Sequence, residues 1–290
     1  MSETPTVSIL TTCYNRESYL GDAIESVLNG SFQSFELWIV DDQSTDDSVN
    51  IAKAYAAKDD RIHVHVNPSN LGDYPNRNHA ATLARGEYIK YLDADDMLGK
   101  WALEMMVDAM HRYPNAGFGL FDFGPNRPLH PVELQGSAIF EAHYSGRHDF
   151  FHRSPLSAII KRTAFLESGM FSTERYVGDF EMWNRMARTH PMVMISPWPL
   201  FWREHDQQES TDIRQDPLIP LRYQLLTETI LADEATPLSK SMRTELLAAA
   251  KRRTARNIIT SIKRLGPTQT LRMKKATMKS WSTIWKDAFS

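Results

Sequence analysis

The sequence predicts an α/β fold, a mostly parallel sheet sandwiched by helices, followed by a helical C-terminal appendage. Three observations carry that expectation. Short apolar β-rich runs alternate with helical spacings over the first 120 residues, polar residues gather just after those runs, and beyond Pro217 only helical periodicity remains.

The elements follow in order. Val7–Cys13 is a short apolar run, and Tyr19, Leu20, Ala23, Ile24, Val27 and Leu28 then recur at helical spacing before a second buried-type strand, Phe35–Val40. A helix over about 46–57 leads to strand Ile62–Val66, and a helix beginning near Asp73-Tyr74-Pro75 leads to strand Tyr88–Leu92. Met97, Leu98, Trp101, Ala102, Met105, Met106, Ala109 and Met110 form a helical stripe, read as core, before strand Gly117–Phe121. Residues 122–150, rich in Pro, Gly and His, read as loops with one irregular strand. Ser157–Lys161 reads as a strand, Gly178–Thr189 as a helix, and Met192–Ile195 and Leu200–Arg203 as short strands. The expected division is an α/β domain over 1–215 and a basic helical region over 216–290.

Composition narrows the function classes. With 42% hydrophobic and 24% charged residues and a single cysteine in 290, the chain is neither a disulfide scaffold nor disordered. Cys13, within a buried-type strand, reads as a small core residue, and a lone thiol suits a reducing compartment. No leader pattern and no uninterrupted apolar run of spanning length is present, so a cytoplasmic location is expected. The net charge of −3 hides an asymmetry: residues 240–290 hold thirteen Lys or Arg against two acids, a balance of +11, leaving −14 elsewhere.

The chemistry lies at the strand ends. Thr12, Tyr14, Asn15 and Arg16 follow the first strand, Asp41-Asp42-Gln43-Ser44 the second, and Asp93-Ala94-Asp95-Asp96 the fourth. In open α/β sheets ligands collect at that carboxyl edge. Acids so grouped call for a cation, and a nucleoside diphosphate bridged to them by Mg²⁺ or Mn²⁺ satisfies the requirement, since hard cations take carboxylate and phosphate oxygens. Asp93 and Asp95, two apart, would point to one side of an extended segment. Turn and N-cap roles are the alternative reading of these acids. A calcium loop starting at Asp93 fails, because Met97 and Leu98 stand where an oxygen ligand and glycine are needed. Gly117-Phe-Gly119 lacks the third glycine of a dinucleotide fingerprint, and no phosphate loop ending in Gly-Lys-Ser or Gly-Lys-Thr occurs. His63 and His65 alternate along a strand and read as structural, and His143, His148 and His152 show no metal-ligand spacing.

In order and spacing, a series of motifs resembles the family-2 glycosyltransferases of bacterial non-processive type. They are Val7-Ser-Ile-Leu-Thr-Thr-Cys-Tyr-Asn15, Val40-Asp-Asp-Gln-Ser44, Asn70-Leu-Gly72, Arg77-Asn78, Gly86-Glu-Tyr-Ile89, Leu92-Asp-Ala-Asp-Asp96, Gly178-Asp179 and Arg203-Glu-His205. The resemblance covers about Val7 to Ser210 and implies the nucleotide-sugar fold called GT-A. It implies that Thr12 and Tyr14 hold the base, with Asp42 accepting a hydrogen bond from the base edge. An imide N–H offers that proton, which favours a uracil or thymine nucleotide. Asp93 would lie near the ribose, Asp95 would bind Mn²⁺ or Mg²⁺ with the diphosphate, and Arg77 would steady the diphosphate or nearby acids. A surface ion pair is the other reading of Arg77.

Asp179 is the implied general base, taking the proton of an acceptor hydroxyl as it attacks the anomeric carbon opposite the leaving diphosphate, which inverts that centre. Many relatives have Glu-Asp here, whereas this chain has Gly178-Asp179 with Glu181 two residues on, so Glu181 competes for the role. Glu181 and Trp183 are also acceptor or sugar contacts. His205 is a metal-ligand candidate, and taken alone it reads equally as a hydrogen-bonded residue.

The implied reaction moves a hexosyl or N-acetylhexosaminyl group from a nucleoside-diphosphate sugar, with UDP favoured, to a hydroxyl of a glycan or lipid-linked saccharide in polysaccharide biosynthesis. The Gln-x-x-Arg-Trp signature of processive synthases is absent. Two alternatives stay open: a catalytically silent nucleotide-sugar-binding partner subunit, and a sugar-nucleotidyltransferase, which lacks here its Gly-rich loop after the first strand. In the tail, Met278, Trp281, Ile284, Trp285 and Ala288 share a helix face while Lys274, Lys275, Lys279 and Lys286 lie largely elsewhere. That pattern suits peripheral attachment to an anionic membrane at the inner face of the cytoplasmic membrane, or packing on the acidic body or in an oligomer. Nucleic acid is not an expected partner, since no such motif is present.

Overall fold

The computed structural model describes residues 4–122, 128–196, 200–204 and 216–289. The strands β1 (Val7–Cys13), β2 (Phe35–Asp41) and β3 (Ile62–Val66) alternate with helices α1 (Leu20–Leu28), α2 (Ser48–Ala56) and α3 (Asp73–Leu83). There follow β4 (Tyr88–Tyr91), β5 (Met97–Leu98), α4 (Ala102–Arg112), β6 (Phe118–Phe121), β7 (Val132–Leu134) and α5 (Gly136–Tyr144). Then come β8 (Ala158–Lys161), α6 (Arg162–Glu167), α7 (Gly178–Thr189), β9 (Met192–Ile195) and β10 (Leu200–Phe201), and finally α8 (Leu218–Ala232), α9 (Lys240–Ala276) and α10 (Trp281–Phe289).

Eight strands form one sheet in the order β3-β2-β1-β4-β8-β6-β9-β7. The pairs β1–β2, β1–β4, β2–β3 and β6–β9 are parallel, and β8 and β7 run against the rest. Both faces are covered, which is why the strands are apolar throughout. Val7, Ile9, Leu37 and Ile39 pack on one face with Leu20, Ile24 and Met106, while Leu10 and Val40, one register step away, are equally buried on the other. Because β1, β2 and β4 are parallel, residues 14–16, 42–44 and 93–96 all emerge at one edge.

Two readings from periodicity are corrected. Met97 and Leu98 belong to a two-stranded ribbon, paired antiparallel with Phe201 and Leu200, and the helix starts only at Ala102. Gly99 breaks the stripe, its carbonyl accepting the Ala102 N–H at 2.9 Å. The 122–150 stretch contains, besides the short strand β7, the helix α5, which buries Ile139 and Phe140.

The chain divides into two compact units, Met1–Gly136 with Asp149–Arg203, and Ser137–His148 with Glu204–Ser290. The second has its own core of Leu221, Ala255, Ile258, Met273, Ile284 and Ala288. Its long helix α9 is broken at Gly266, whose φ of 81° a side chain would resist, and Pro267 opens the following stretch. Lys279 bridges Glu228 at 2.8 Å and Asp287 at 3.2 Å, so part of the tail's basic charge is matched within the unit. The apolar residues of the tail divide: Ile284 and Ala288 point into the core, while Met278, Trp281, Trp285 and Phe289 remain exposed. Among the described residues no helix is long and apolar enough to cross a membrane.

Candidate active site

The ends of β1 and β2 are tied together. Asn15, at φ 53°, donates its backbone N–H to Ser44 Oγ at 2.9 Å and accepts the Thr45 N–H on its side-chain oxygen at 2.8 Å. Thr12 is half-buried, and Tyr14 is 49% exposed, so its ring is open to a planar ligand. Asp42 is buried, and its carboxylate accepts from Asn67 Nδ2 at 2.7 Å, the Leu71 N–H at 2.8 Å and the Gly72 N–H at 2.9 Å. Gly72 holds φ 85°, a conformation open to glycine, and that turn aims its N–H at Asp42 just ahead of α3. Asp42 therefore anchors the entry to α3, with one of its roughly four lone-pair sites left over.

The acidic segment after β4 is a turn, not an extended stretch, closed by the Asp96 N–H on the Asp93 carbonyl at 3.0 Å. Arg77, buried on α3, spans two acids: Nε to Asp73 at 2.7 Å and Nη2 to Asp93 at 2.7 Å. Burial works against its charge, yet Asp73 and Asp93 hold the guanidinium well above its usual range. Its other terminal nitrogen, Nη1, is buried with no hydrogen-bond partner. Arg16 Nε lies 3.1 Å from Asp95 Oδ2. Asp96 accepts the Arg203 N–H at 3.0 Å, and burial together with the Asp93 charge pushes its carboxyl up to about 8. Lys90 is fully buried in β4 and donates to the Leu156 carbonyl; burial presses its ammonium down to about 7 against the pull of Asp93 and Asp96. Sequence reasoning passed over Lys90; the signal was a lysine inside an otherwise apolar strand.

Asp179 stands in the first turn of α7 and is partly accessible. Burial, with Asp73 adding repulsion, pushes its carboxyl up to about 7, while the Phe180 N–H, 2.7 Å from Oδ1, and the Arg77 charge restrain it. Arg77 thus acts on the Asp179 carboxylate and touches Asp93, which in turn feels Asp95. Arg77 is in contact with Asp73 and Asp93, and its charge reaches Asp179. Tyr74, buried on α3, accepts the Asp179 N–H on its hydroxyl at 3.1 Å, and Asn78 exchanges two hydrogen bonds with the Phe171 backbone at 2.8 and 3.0 Å. Tyr74 thus ties α3 to the start of α7, Asn78 ties it to the stretch that follows α6, and Tyr74 too was missed from sequence. At Gly178 a Cβ would fall 2.6 Å from the Tyr74 ring, so the phenol fills the space beside which a glutamate would otherwise stand.

Glu181 is two residues from Asp179 on a helix and so faces away from it, 3.3 Å from Arg185. Trp183 is fully buried, stacked on Phe118 with its indole N–H donated to the Arg153 carbonyl at 2.7 Å. It has no surface to offer a sugar, which corrects the expectation of a sugar contact. Apolar periodicity of α7 carries Trp183 inward with Phe180 and Met186. His205 lies outside the described residues.

The residues fit a divalent ion. Asp93, Asp95 and Asp96 are oxygen donors at one turn, where burial first, and the charges of the neighbouring acids after it, raise the carboxyls of Asp93 and Asp96. Hard Mg²⁺ or Mn²⁺ suits that donor set.

The fold resembles those of solved sugar-nucleotide enzymes. S. aureus TarS 1-349 in complex with UDP-GlcNAc aligns over 92% of this chain and 78% of its own with a TM-score of 0.71 at 18% identity. Mannosyltransferase PcManGT from Pyrobaculum calidifontis, in complex with GDP-Man and Mn²⁺, aligns over 99% and 87% with a TM-score of 0.58 at 15% identity. The architecture is thus that of the GT-A class. The model of glycosyl transferase family 2 matches residues 8–169, more than half of the chain, and the chain belongs to that family. An uncharacterized glycosyltransferase of Haemophilus influenzae is 40% identical over 106 residues, 37% of this chain and 42% of that protein. The putative teichuronic acid biosynthesis glycosyltransferase TuaG of Bacillus subtilis is 41% identical over the same length and shares. The aligned stretch is less than half the length of these relatives.

Proposed function

We propose that this chain moves a hexosyl or N-acetylhexosaminyl group from a UDP-sugar to a hydroxyl of a glycan or lipid-linked saccharide, inverting the anomeric centre. The observation that carries the reading is the partly accessible Asp179 carboxyl within reach of the charge of Arg77, which is itself paired to the acidic turn at Asp93. The complexes of TarS with UDP-GlcNAc and UDP support the choice of donor. TuaG supports a role in polymer assembly.

In this reading Tyr14 lies against the base, Thr12 lines its pocket, and Asp42 spends its remaining lone pair on the imide N–H. Asp93 lies near the ribose and Arg77 steadies the diphosphate side. Asp95, with His205, would hold Mn²⁺ or Mg²⁺, which when bound supplies positive charge to the leaving diphosphate. The Mn²⁺ in the PcManGT complex supports that choice. Asp179 accepts the proton of the acceptor hydroxyl as its oxygen bonds to the anomeric carbon and the bond to the diphosphate oxygen breaks. An α-linked donor then gives a β-linkage.

The 216–290 region extends this reading. Its exposed Met278, Trp281, Trp285 and Phe289, beside Lys274, Lys275 and Lys286, suit peripheral docking on anionic lipid at the cytoplasmic face. Such docking would bring the catalytic unit to a lipid-linked acceptor.

A panel of nucleotide sugars tests the proposal through thermal stabilisation and Mn²⁺-dependent donor hydrolysis. UDP-sugars should stabilise and turn over. Stabilisation without turnover would make the chain a silent binding subunit, and no stabilisation by any nucleotide sugar would overturn the donor assignment.

A further inference from the structure

Apart from the acidic turn, two histidines meet on the strand and helix that carry other site residues. His65 lies on β3, two positions before Asn67, whose amide holds Asp42; His79 lies on α3, two positions after Arg77. Their Nε2 atoms are 3.0 Å apart, and both residues are partly buried. The ring centres are 4.7 Å apart with planes at 52°, closer than two rings meeting nose to nose, so the nitrogens converge at an angle.

Two N–H groups cannot face each other at this distance, so at least one Nε2 presents a lone pair, and moving the other proton to Nδ1 frees a second. We propose that His65 and His79 form a two-nitrogen site for a divalent transition-metal ion, Cu²⁺ or Ni²⁺ ahead of Zn²⁺. At a metal–imidazole bond of about 2.0–2.1 Å, nitrogens 3.0 Å apart subtend close to a right angle at the ion. That is the angle between neighbouring ligands of a square-planar or octahedral ion and tighter than a tetrahedron allows. Mg²⁺ and Mn²⁺, which favour oxygen, go to the acidic turn instead.

The state of the pair favours binding. Burial and the neighbouring His65 hold the His79 imidazole below its usual range, and a metal needs neutral imidazole. Among the described residues no third imidazole, thiol or carboxylate joins the pair, so water completes the shell and the ion exchanges readily. The bound ion would staple β3 to α3, stabilising the strand and helix that position Asp42 and Arg77.

The test uses the full chain titrated with CuCl2, NiCl2, ZnCl2 and MgCl2 at about pH 7.5, where histidine is mostly neutral. Calorimetry should detect Cu²⁺ or Ni²⁺ binding that is retained in Asp95→Asn and weakened at least tenfold in His65→Gln and in His79→Gln, with no further loss in the double variant. Melting temperatures without metal separate lost binding from lost folding. In the unaltered chain, electron paramagnetic resonance of bound Cu²⁺ should show two imidazole nitrogens whose signal disappears as pH falls below about 6. Affinity unchanged in both single variants, or a Cu²⁺ spectrum without imidazole nitrogen, would overturn the site.

Discussion

The hydroxyl of Tyr74 accepts the backbone N–H of Asp179 at 3.1 Å, and the same phenol ring lies where a side chain at position 178 would begin. Residues over a hundred positions apart thereby set the entry of α7 and the attitude of its first carboxylate. Gly178→Ala would place a Cβ 2.6 Å from the ring. The expected cost is about 1–3 kcal/mol of stability, as for overpacking elsewhere. Adding Tyr74→Leu should relieve much of it, and a double-mutant cycle in urea measures the coupling. Additive costs would show that the two residues do not share that space.

Asp179→Asn is expected to lower transfer by about 10²–10⁴-fold, the usual worth of a general base, while nucleotide affinity stays within a small factor. With its carboxyl at about 7, the wild-type rate should climb with pH and level off above neutrality. The stability trend has the opposite sense. A carboxyl raised in the folded state favours folding fully below its unfolded value of about 3.9, and that advantage shrinks as pH rises through the folded one. Asp179→Asn should therefore raise the melting temperature near pH 8 and change it little near pH 4. Unaltered transfer in this variant would remove Asp179 from the mechanism.

Arg77→Met leaves Asp73 and Asp93 without their shared cation. Breaking a buried ion pair from one side costs about 3–5 kcal/mol, so the variant should unfold at markedly lower urea than the wild type. Arg77→Lys, which cannot span both acids with a planar fork, should recover only part of the loss. A variant as stable as the parent would mean that the acids are neutralised by other groups.

Asp95 lies 3.1 Å from Arg16 Nε, so in the proposed reading an added cation would compete with Arg16 for that carboxylate. Asp95→Asn should raise the Mn²⁺ concentration needed for half-maximal rate by tenfold or more, an effect of about 1.4 kcal/mol. Arg16→Gln should lower it severalfold. Equal Mn²⁺ dependence in all three proteins would place the ion on other residues.

Trp285 and Phe289 stack at 5.7 Å on the exposed side of α10. Replacing Trp281, Trp285 and Phe289 by Ala should reduce sedimentation with phosphatidylglycerol vesicles strongly and leave melting almost unchanged, since Ile284 and Ala288 form the core side of the helix. Binding that persists in the variant would rule out this face as the lipid contact.

Much of the fold was legible because local pattern and burial agree. Val7–Cys13, Ile62–Val66 and Gly178–Thr189 appear at the bounds that their apolar runs and flanking residues suggest. Met97 and Leu98 misled because their spacing fits a helix, while their pairing with Leu200 and Phe201 lies a hundred residues away. The helix at Gly136–Tyr144 was hidden by a starting glycine and a short apolar face. Trp183 shows the same limit at the site: an aromatic near an acid suggests sugar contact, but only packing on Phe118 reveals which way the ring turns.

By itself the sequence determined most of the order of strands and helices, the acidic residues that follow the strands, and the family to which the chain belongs. Hydrophobic periodicity carries the element order, and the ordered motifs at the strand ends carry the resemblance to the family. Only the tertiary structure decided that Asp42 is held by the Leu71 and Gly72 amides, that Lys90 lies buried near the acidic turn, and that Tyr74 takes up the room beside Gly178. Each depends on groups brought together across the sheet by burial, where unpaired charge and unfilled space are costly, and no linear pattern records those meetings.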